Sequence, residues 1–125
     1  MLDLANGWHL DVERGPDWLF VRLRSATDAD EFRAELADLL WTLLRQHFTN
    51  RLVLELDELP ILRSEFIGQL VLLHKRIHTD GGLMRICGLS DGHRMALRSC
   101  RLSDRFPSYQ NREDAVMGHQ PVLPR

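Results

Sequence analysis

The sequence predicts a single α/β domain, with a mixed, mostly parallel sheet of about five strands and four helices packed mainly on one side. Segments with the two-residue period of strands alternate with segments of helical period, in the order ββαβαβαβα. The 125 residues are 44% hydrophobic and 27% charged, as expected of a globular chain that can bury one core. We expect the domain to span residues 1–117, followed by a flexible tail over residues 118–125.

The first two strands are predicted to form a hairpin. Residues 8–13 alternate weakly between apolar and polar types and lead to the turn dipeptide Gly15-Pro16. Residues 17–24 alternate clearly, which places Trp18 and Phe20 on one face and residues 19, 21 and 23 on the other.

A first helix is predicted from Thr27, where residues 27–30 resemble a capping box. Apolar residues then recur at spacings of three and four, which gives one stripe about five turns long. The stripe comprises Phe32, Leu36, Leu39, Leu40, Leu43, Leu44 and Phe48. Asn50 suits the C-terminal end of this helix.

The next strand and helix contain the candidate site. Residues 51–57 are mostly apolar, as in an inner strand that is covered on both faces. A second helix is predicted from Ser64 to His78, ended by Gly81-Gly82. Its inner stripe is expected to comprise Ile67, Leu70, Val71, His74 and Ile77.

The remaining elements are shorter. A strand over residues 83–87 precedes a third helix from Asp91 to about Cys100, which Ser90 can cap. A short strand is expected over residues 105–109 and a last helix over residues 111–117. The apolar residues assigned to the third helix and its end are Met95, Leu97 and Leu102.

Composition argues against several classes of function. The net charge is −2 and no basic run stands out, so we expect no attraction to nucleic acid or anionic lipid. The apolar runs are too short for membrane insertion, and the start lacks the pattern of a secretory signal. Cys87 and Cys100 are expected to be buried, reduced thiols of a cytoplasmic protein.

Three segments occur in an order that is typical of one protein family. Leu52-Val-Leu-Glu-Leu-Asp57, followed by residues 62–68, resembles a strand that leads into the motif Asp-Ser-Ser-Gly-Leu-Gly. Residues 73–90 resemble the Lys and Gly-Gly segment that follows this motif, and residues 102–115 resemble the closing segment of the same family. Together they resemble the STAS domain family of sulfate transporters and anti-sigma factor antagonists, and the resemblance implies a STAS fold.

The resemblance also implies a role in signal transduction and transcription regulation. In this family the Ser or Thr after the motif Asp is phosphorylated by an anti-sigma kinase, and the unphosphorylated form binds that kinase. This position falls on Ser64. The implied partner is an anti-sigma factor of the serine kinase type, contacted by Arg63, Ser64, Glu65 and Gln69. No cofactor is implied, and we expect a monomer or weak dimer.

The helix start at Ser64 has physical properties that suit such a switch. It carries unpaired N–H groups and partial positive charge, so a phosphate there is held favourably and changes the charge of a contact surface. The sequence departs from the motif, because Arg63 replaces the Asp, Glu65 the second Ser and Phe66 the first Gly, whereas Gly68 keeps the last Gly. The alternative is that Ser64 is only a helix cap.

A small serine hydrolase is a rival prediction from another class. Gly88-Leu-Ser90-Asp-Gly92 matches the G-x-S-x-G elbow between a strand and a helix, and Asp104 and His119 follow in triad order. Two features argue against it: the sheet is small for an α/β-hydrolase, and His119 lies in the predicted tail. We therefore predict that the chain is not an enzyme.

Other interpretations keep the fold or concern single residues. The domain can be an accessory subunit of a lipid-transport ATPase, or a scaffold that assembles into larger particles. His74 and His78 have the i,i+4 spacing of a metal clip, but no third ligand is evident, and we predict no metal. The tryptophans are expected to be core residues: Trp8, Trp18 and Trp41.

Overall fold

A computed structural model describes residues 2–3, 8–25 and 36–118, and within them a six-stranded sheet carries four helices. The strands, in their order across the sheet, are β1 (Leu2–Asp3), β2 (Trp8–Arg14), β3 (Leu19–Ser25), β4 (Arg51–Glu58), β5 (Leu83–Cys87) and β6 (Ser108–Tyr109). The helices are α1 (Leu36–Gln46), α2 (Ser64–Thr79), α3 (Asp91–Ser99) and α4 (Arg112–Met117). The predicted helix start at Thr27 and most of the predicted tail lie outside the described residues.

The sheet is mixed and mostly parallel, as predicted. β1, β2 and β3 are antiparallel neighbours, and β3 to β6 are parallel. β1 is an additional strand, too short for periodicity to reveal. No helix in the described parts of the chain combines the length and the apolar character needed to cross a bilayer.

The larger core lies on the sheet face covered by α1, α2 and α3. Leu19, Val21 and Leu23 of β3 point into it, which confirms the predicted face. The opposite face holds a smaller cluster that includes Trp18 and Ala115 of α4. β4 is covered on both faces, because Leu52, Leu54 and Leu56 belong to the larger core and Val53 belongs to the smaller cluster.

Several predicted core positions need correction. Phe48 is 92% exposed, because α1 ends at Gln46 and the chain turns before Phe48. Met95, assigned from the sequence to the third helix without a core role, is 64% exposed. Phe66 and Leu73, which the predicted stripe of α2 omits, are buried. The buried face of α2 is therefore wider than a single stripe.

The tryptophan prediction is confirmed for two residues. Trp8 and Trp18 are buried, whereas Trp41 is only partly buried and packs against the edge of the larger core. The Trp8 ring stacks on Phe66 with 5.9 Å between ring centroids. This contact ties β2 to the first turn of α2.

The turn after α1 places Phe48 in a left-handed conformation, with φ of 53°. The N–H of Thr49 donates to the carbonyl oxygen of Leu44 at 3.1 Å, and the N–H of Phe48 donates to that of Arg45 at 3.2 Å. This is the Schellman pattern, in which glycine usually occupies the left-handed position. Asn50, the expected helix end, lies beyond this turn and donates to the carbonyl oxygen of Asp80 at 3.1 Å.

A buried carboxylate holds α4 on the sheet. Glu55 of β4 is 3% exposed, and Arg112 donates to both of its oxygens, at 2.7 Å and 3.2 Å. Arg22 lies 3.4 Å from the same carboxylate. Arg112 also pairs with Glu13 and covers the ring of Phe20, with 4.4 Å from the guanidinium carbon to the ring centroid. Arg112 is therefore one of two guanidinium groups that hold α4, the other being that of Arg85, which donates to the carbonyl oxygens of Ala115 at 2.7 Å and Val116 at 3.2 Å.

The two cysteines differ in accessibility. Cys87 is buried, as expected, but Cys100 is exposed, which corrects the second half of that prediction. Cys100 follows the last turn of α3 as its C-cap residue and so lies outside the core. Neither forms a disulfide.

We predict that only Cys100 reacts with Ellman's reagent in the folded protein. Burial, and then the carboxylates of Glu55 and Asp57, raise the pKa of the Cys87 thiol to about 12, so little thiolate forms near neutral pH. Titration should show one fast thiol per chain and a second only after unfolding. The variant Cys100→Ser should lose the fast phase, and a fast reaction in that variant would contradict the burial of Cys87.

Candidate functional site

The predicted site lies where the connection after β4 enters α2. Ser64 is the first residue of α2 and is exposed, and its hydroxyl donates to Oε2 of Glu65 at 3.2 Å. Arg63 occupies the N-cap position with extended backbone, φ −89° and ψ 158°, and its side chain makes no capping bond. The alternative that Ser64 is the helix cap is therefore wrong. Its hydroxyl lies at the surface beside a carboxylate.

The electrostatics of this helix start favour anionic groups. The first backbone hydrogen bond of α2 runs from the N–H of Ile67 to the carbonyl oxygen of Arg63, at 2.9 Å. The N–H groups of residues 64–66 therefore precede the helical ladder and carry its partial positive charge. Glu65 in the first turn benefits from this field, and a phosphate on Ser64 would share it with the exposed Arg63.

The four predicted contact residues do not lie equivalently. Arg63, Ser64 and Glu65 are exposed together, whereas Gln69 is only partly exposed. Its side-chain oxygen accepts a hydrogen bond from the N–H of Ala37 at 2.9 Å. Gln69 therefore ties α2 to the first described turn of α1, and its carbonyl group is already engaged within the domain.

One exposed face of α2 extends the site beyond the predicted residues. Ser64, Gly68 and Leu72 are spaced four apart and share this face, which we call the α2 face. Apart from its chain neighbours and the backbone of its own helix, a Cβ atom added to Gly68 would meet nothing within 4 Å, and Leu72 is 56% exposed. Packing within the domain therefore does not require glycine at position 68, although it costs about 1 kcal/mol relative to alanine in a helix. The helical spacing of four residues from Ser64 would have identified Leu72 from the sequence alone.

Ser90 acts as the cap of α3, as predicted. Its hydroxyl oxygen accepts from the N–H of His93 at 3.1 Å, and its own N–H donates to Nδ1 of His93 at 3.2 Å. The other ring nitrogen of His93 lies 2.9 Å from the carbonyl oxygen of Leu59. Helix capping thus explains the serine of the G-x-S-x-G match. Of the other proposed triad members, Asp104 is exposed and His119 lies outside the described residues.

His74 and His78 lie side by side on α2. Their rings are nearly parallel, with centroids 6.0 Å apart, and Phe106 meets the His74 ring edge-on at 5.2 Å. Burial, followed by the charges of Arg105 and His78, lowers the pKa of His74. Across the described ranges, no three histidine, cysteine or carboxylate side chains converge as metal ligands.

Comparisons with known proteins agree with this architecture. The crystal structure of an anti-sigma factor antagonist from Mycobacterium paratuberculosis is 17% identical, with a TM-score of 0.74 over 96% of this chain and 100% of that chain. An anti-sigma-factor antagonist (STAS) domain protein from Planctomyces limnophilus is 19% identical, with a TM-score of 0.68 over 88% and 97% of the two chains. The anti-sigma factor antagonist SpoIIAA in its unphosphorylated form is 12% identical, with a TM-score of 0.63 over 90% and 100%.

At these identities the structural likeness shows the fold. A comparison with curated proteins gives no significant match. The family model of the STAS domain matches residues 9–115, which is most of the chain. The match includes the strand, the connection and the helix that form the site. The chain therefore belongs to the STAS domain family.

Proposed function

We propose that this chain is an anti-sigma factor antagonist-like regulator that binds an anti-sigma factor of the serine kinase type through the start of α2. Phosphorylation of Ser64 is proposed to release that partner. The observation that carries the proposal is the exposed Ser64 hydroxyl at the first residue of α2, on the same face as Gly68 and Leu72. The similar structures described as anti-sigma factor antagonists support this class of function.

In the unphosphorylated state, the α2 face offers a surface that another protein can cover at low cost. Gly68 lets a partner backbone approach the helix closely. Leu72 supplies apolar area. The Ser64 hydroxyl is uncharged and already donates to Glu65, so its burial would not leave that donor without an acceptor.

Phosphorylation of Ser64 would raise the free-energy cost of covering the α2 face. The phosphate would add about two negative charges next to the carboxylate of Glu65. The N–H groups of the first turn and the Arg63 guanidinium would stabilise it in the free domain. A partner that covers the α2 face would have to remove water from this phosphate, and binding would weaken.

Variants at Ser64 test the proposal. A tagged chain is first used to purify and identify the partner from native cells, and the dissociation constant is then measured with the purified partner. We expect Ser64→Ala to bind like the wild type and Ser64→Glu to bind at least roughly tenfold more weakly. Intact-mass measurement of the native protein should detect the phosphate.

Two further variants provide matched controls. Ser103→Glu places the same charge on the exposed turn after α3, outside the α2 face, and should leave binding unchanged. Gly68→Ala should raise the unfolding free energy by up to about 1 kcal/mol and still weaken binding. A variant that is more stable but binds more weakly would show that Gly68 acts at the contact surface and not through folding. Equal binding by Ser64→Ala and Ser64→Glu would contradict the switch. Purification of a lipid-transport ATPase in place of a kinase would favour the accessory-subunit role.

A further inference from the structure

A hollow of about 570 Å³ lies between the second half of α2 and the turn that follows α3. Its lining comprises His74, Lys75, His78, Thr79, Asp104 and Arg105. Side chains that carry or can take up a positive charge therefore come from two separate segments of the chain. None of these residues belongs to the α2 face, and the hollow lies at the opposite end of α2 from Ser64.

The positive charges around this hollow are not balanced within the described parts of the chain. After burial, the charges of Arg105 and His78 are the causes that lower the pKa of His74. No described carboxylate, including that of Asp104, forms an ion pair with Lys75 or Arg105. Bringing like charges together costs free energy in the isolated domain, and an anion in the hollow would offset that cost.

The ring of His74 is held in place beside the hollow. It lies parallel to the ring of His78, with centroids 6.0 Å apart, and meets Phe106 edge-on at 5.2 Å. Its Nδ1 is shielded from solvent and has no hydrogen-bond partner among the described residues. A proton on Nδ1 would be buried without an acceptor, so the neutral ring keeps its proton on Nε2. Nε2 is thus the nitrogen that can donate to a ligand in the hollow.

The usual benefit of cations near the end of a helix explains only part of this cluster. His78 lies in the last turn of α2 and is favourable there. The carbonyl oxygens of this turn are already engaged, because the N–H groups of residues 80–82 donate to those of residues 76–78. Arg105 comes from another segment of the chain, so the end of α2 does not account for its position.

We propose that this hollow binds a small oxyanion of the phosphate class, contacted by Lys75, Arg105 and the Nε2 proton of His74. The planar guanidinium of Arg105 can donate to two oxygens at once, and Lys75 supplies a compact positive charge. His78 adds a further charge when it is protonated. The carboxylate of Asp104 disfavours a larger accumulation of negative charge, so the site suits a single phosphate or sulfate group and not a polyphosphate.

NMR of the histidine rings in the full chain tests the proposal. Sulfate is the main probe because its charge is constant near neutral pH, and sodium chloride keeps the ionic strength equal in all samples. We expect saturable shifts of the His74 and His78 signals, with a dissociation constant of roughly 0.1–10 mM. Bound sulfate should also raise the pKa of His74, because it favours the charged ring. The charged and titratable groups around that ring are Lys75, His78, Asp104 and Arg105.

Two further probes distinguish the sources of the anion. Inorganic phosphate represents the free ion, and phenyl phosphate represents the phosphate group of an organic molecule. Equal dissociation constants would assign the site to the free ion, whereas tighter binding of phenyl phosphate would assign it to a phosphate ester. Both results support an oxyanion site.

A matched pair of arginine variants shows whether the hollow is responsible. Arg105→Ala should increase the dissociation constant at least roughly fivefold. Arg98→Ala removes an exposed arginine from α3, outside the hollow, and should leave the constant unchanged. Equal binding by Arg105→Ala and the wild type would overturn the proposal. So would the absence of saturable shifts, or shifts of the same size at His47 and His93, which lie outside the hollow.

Discussion

Replacing Arg112 with methionine is expected to lower the free energy of unfolding by about 3–5 kcal/mol. The change removes both hydrogen bonds to the Glu55 carboxylate, which is buried in the central strand β4. Arg22 then remains as a partner at 3.4 Å, but it also pairs with Asp57. A buried charge that loses its main partner is costly, because neither water nor another donor fully replaces it.

Urea unfolding followed by circular dichroism measures this effect. Arg98→Met, which changes an exposed arginine of α3, should alter the unfolding free energy by less than about 0.5 kcal/mol. The double variant Glu55→Leu with Arg112→Met should recover most of the loss, because it removes the buried charge together with its partner. Unchanged stability of Arg112→Met would mean that Arg22 alone suffices for Glu55.

His93→Ala is expected to lower the unfolding free energy by about 2–4 kcal/mol. The side chain is buried and makes two hydrogen bonds, one to the N–H of Ser90 and one to the carbonyl oxygen of Leu59. Its removal would leave both backbone groups without this partner and would create a cavity. His78→Ala, an exposed position on α2, is the control and should have a small effect in the same urea titration.

The same residue should make stability depend on pH. Burial lowers the pKa of His93, although its bond to Leu59 acts in the opposite direction. Nδ1 accepts from Ser90, so the proton of the neutral ring is on Nε2, which donates to Leu59. Protonation of Nδ1 would direct its N–H at the N–H of Ser90, so two donors would face each other without an acceptor. The unfolded chain takes up the proton more readily, so stability should fall as the pH drops below about 6.5.

The free energy of unfolding, measured at about pH 7.5 and about pH 5.5, tests whether stability falls on acidification. His74, whose pKa is also lowered, contributes in the same direction. The loss of stability on acidification should therefore be smaller in His93→Ala than in the wild type, but still present. An equal loss in both proteins would show that His93 does not titrate in this range.

The order of elements could be predicted from the sequence because it follows from local periodicity. β4 and α2 are examples, since the apolar strand and an apolar stripe of the helix are visible in the sequence, although that stripe omits the buried Phe66 and Leu73. The end of α1 was less predictable. Phe48 lies four residues after Leu44 and fits the apolar stripe, but the chain leaves the helix before reaching it. Periodicity alone does not show where a helix gives way to a turn.

The long-range polar contacts could not be predicted. Arg112 and Glu55 are 57 residues apart, and their pairing depends on how α4 docks on the sheet. The role of Ser90 as a cap followed from its position, whereas the bond between His93 and Leu59 required the fold. At the candidate site, exposure of Ser64 followed from its place at a helix start. The engagement of Gln69 with α1 did not follow from any local pattern.

The bond between His93 and Leu59 joins segments that are 34 residues apart. Leu59 is the first residue after β4, so this bond fixes the point from which the backbone departs towards Ser64. The direction of α2's first turn is thereby set partly from α3, a helix that no proposed contact involves. Substitutions in α3 can therefore impair recognition at a distance, and a genetic screen for chains that fold but fail to bind should yield changes there as well as on α2.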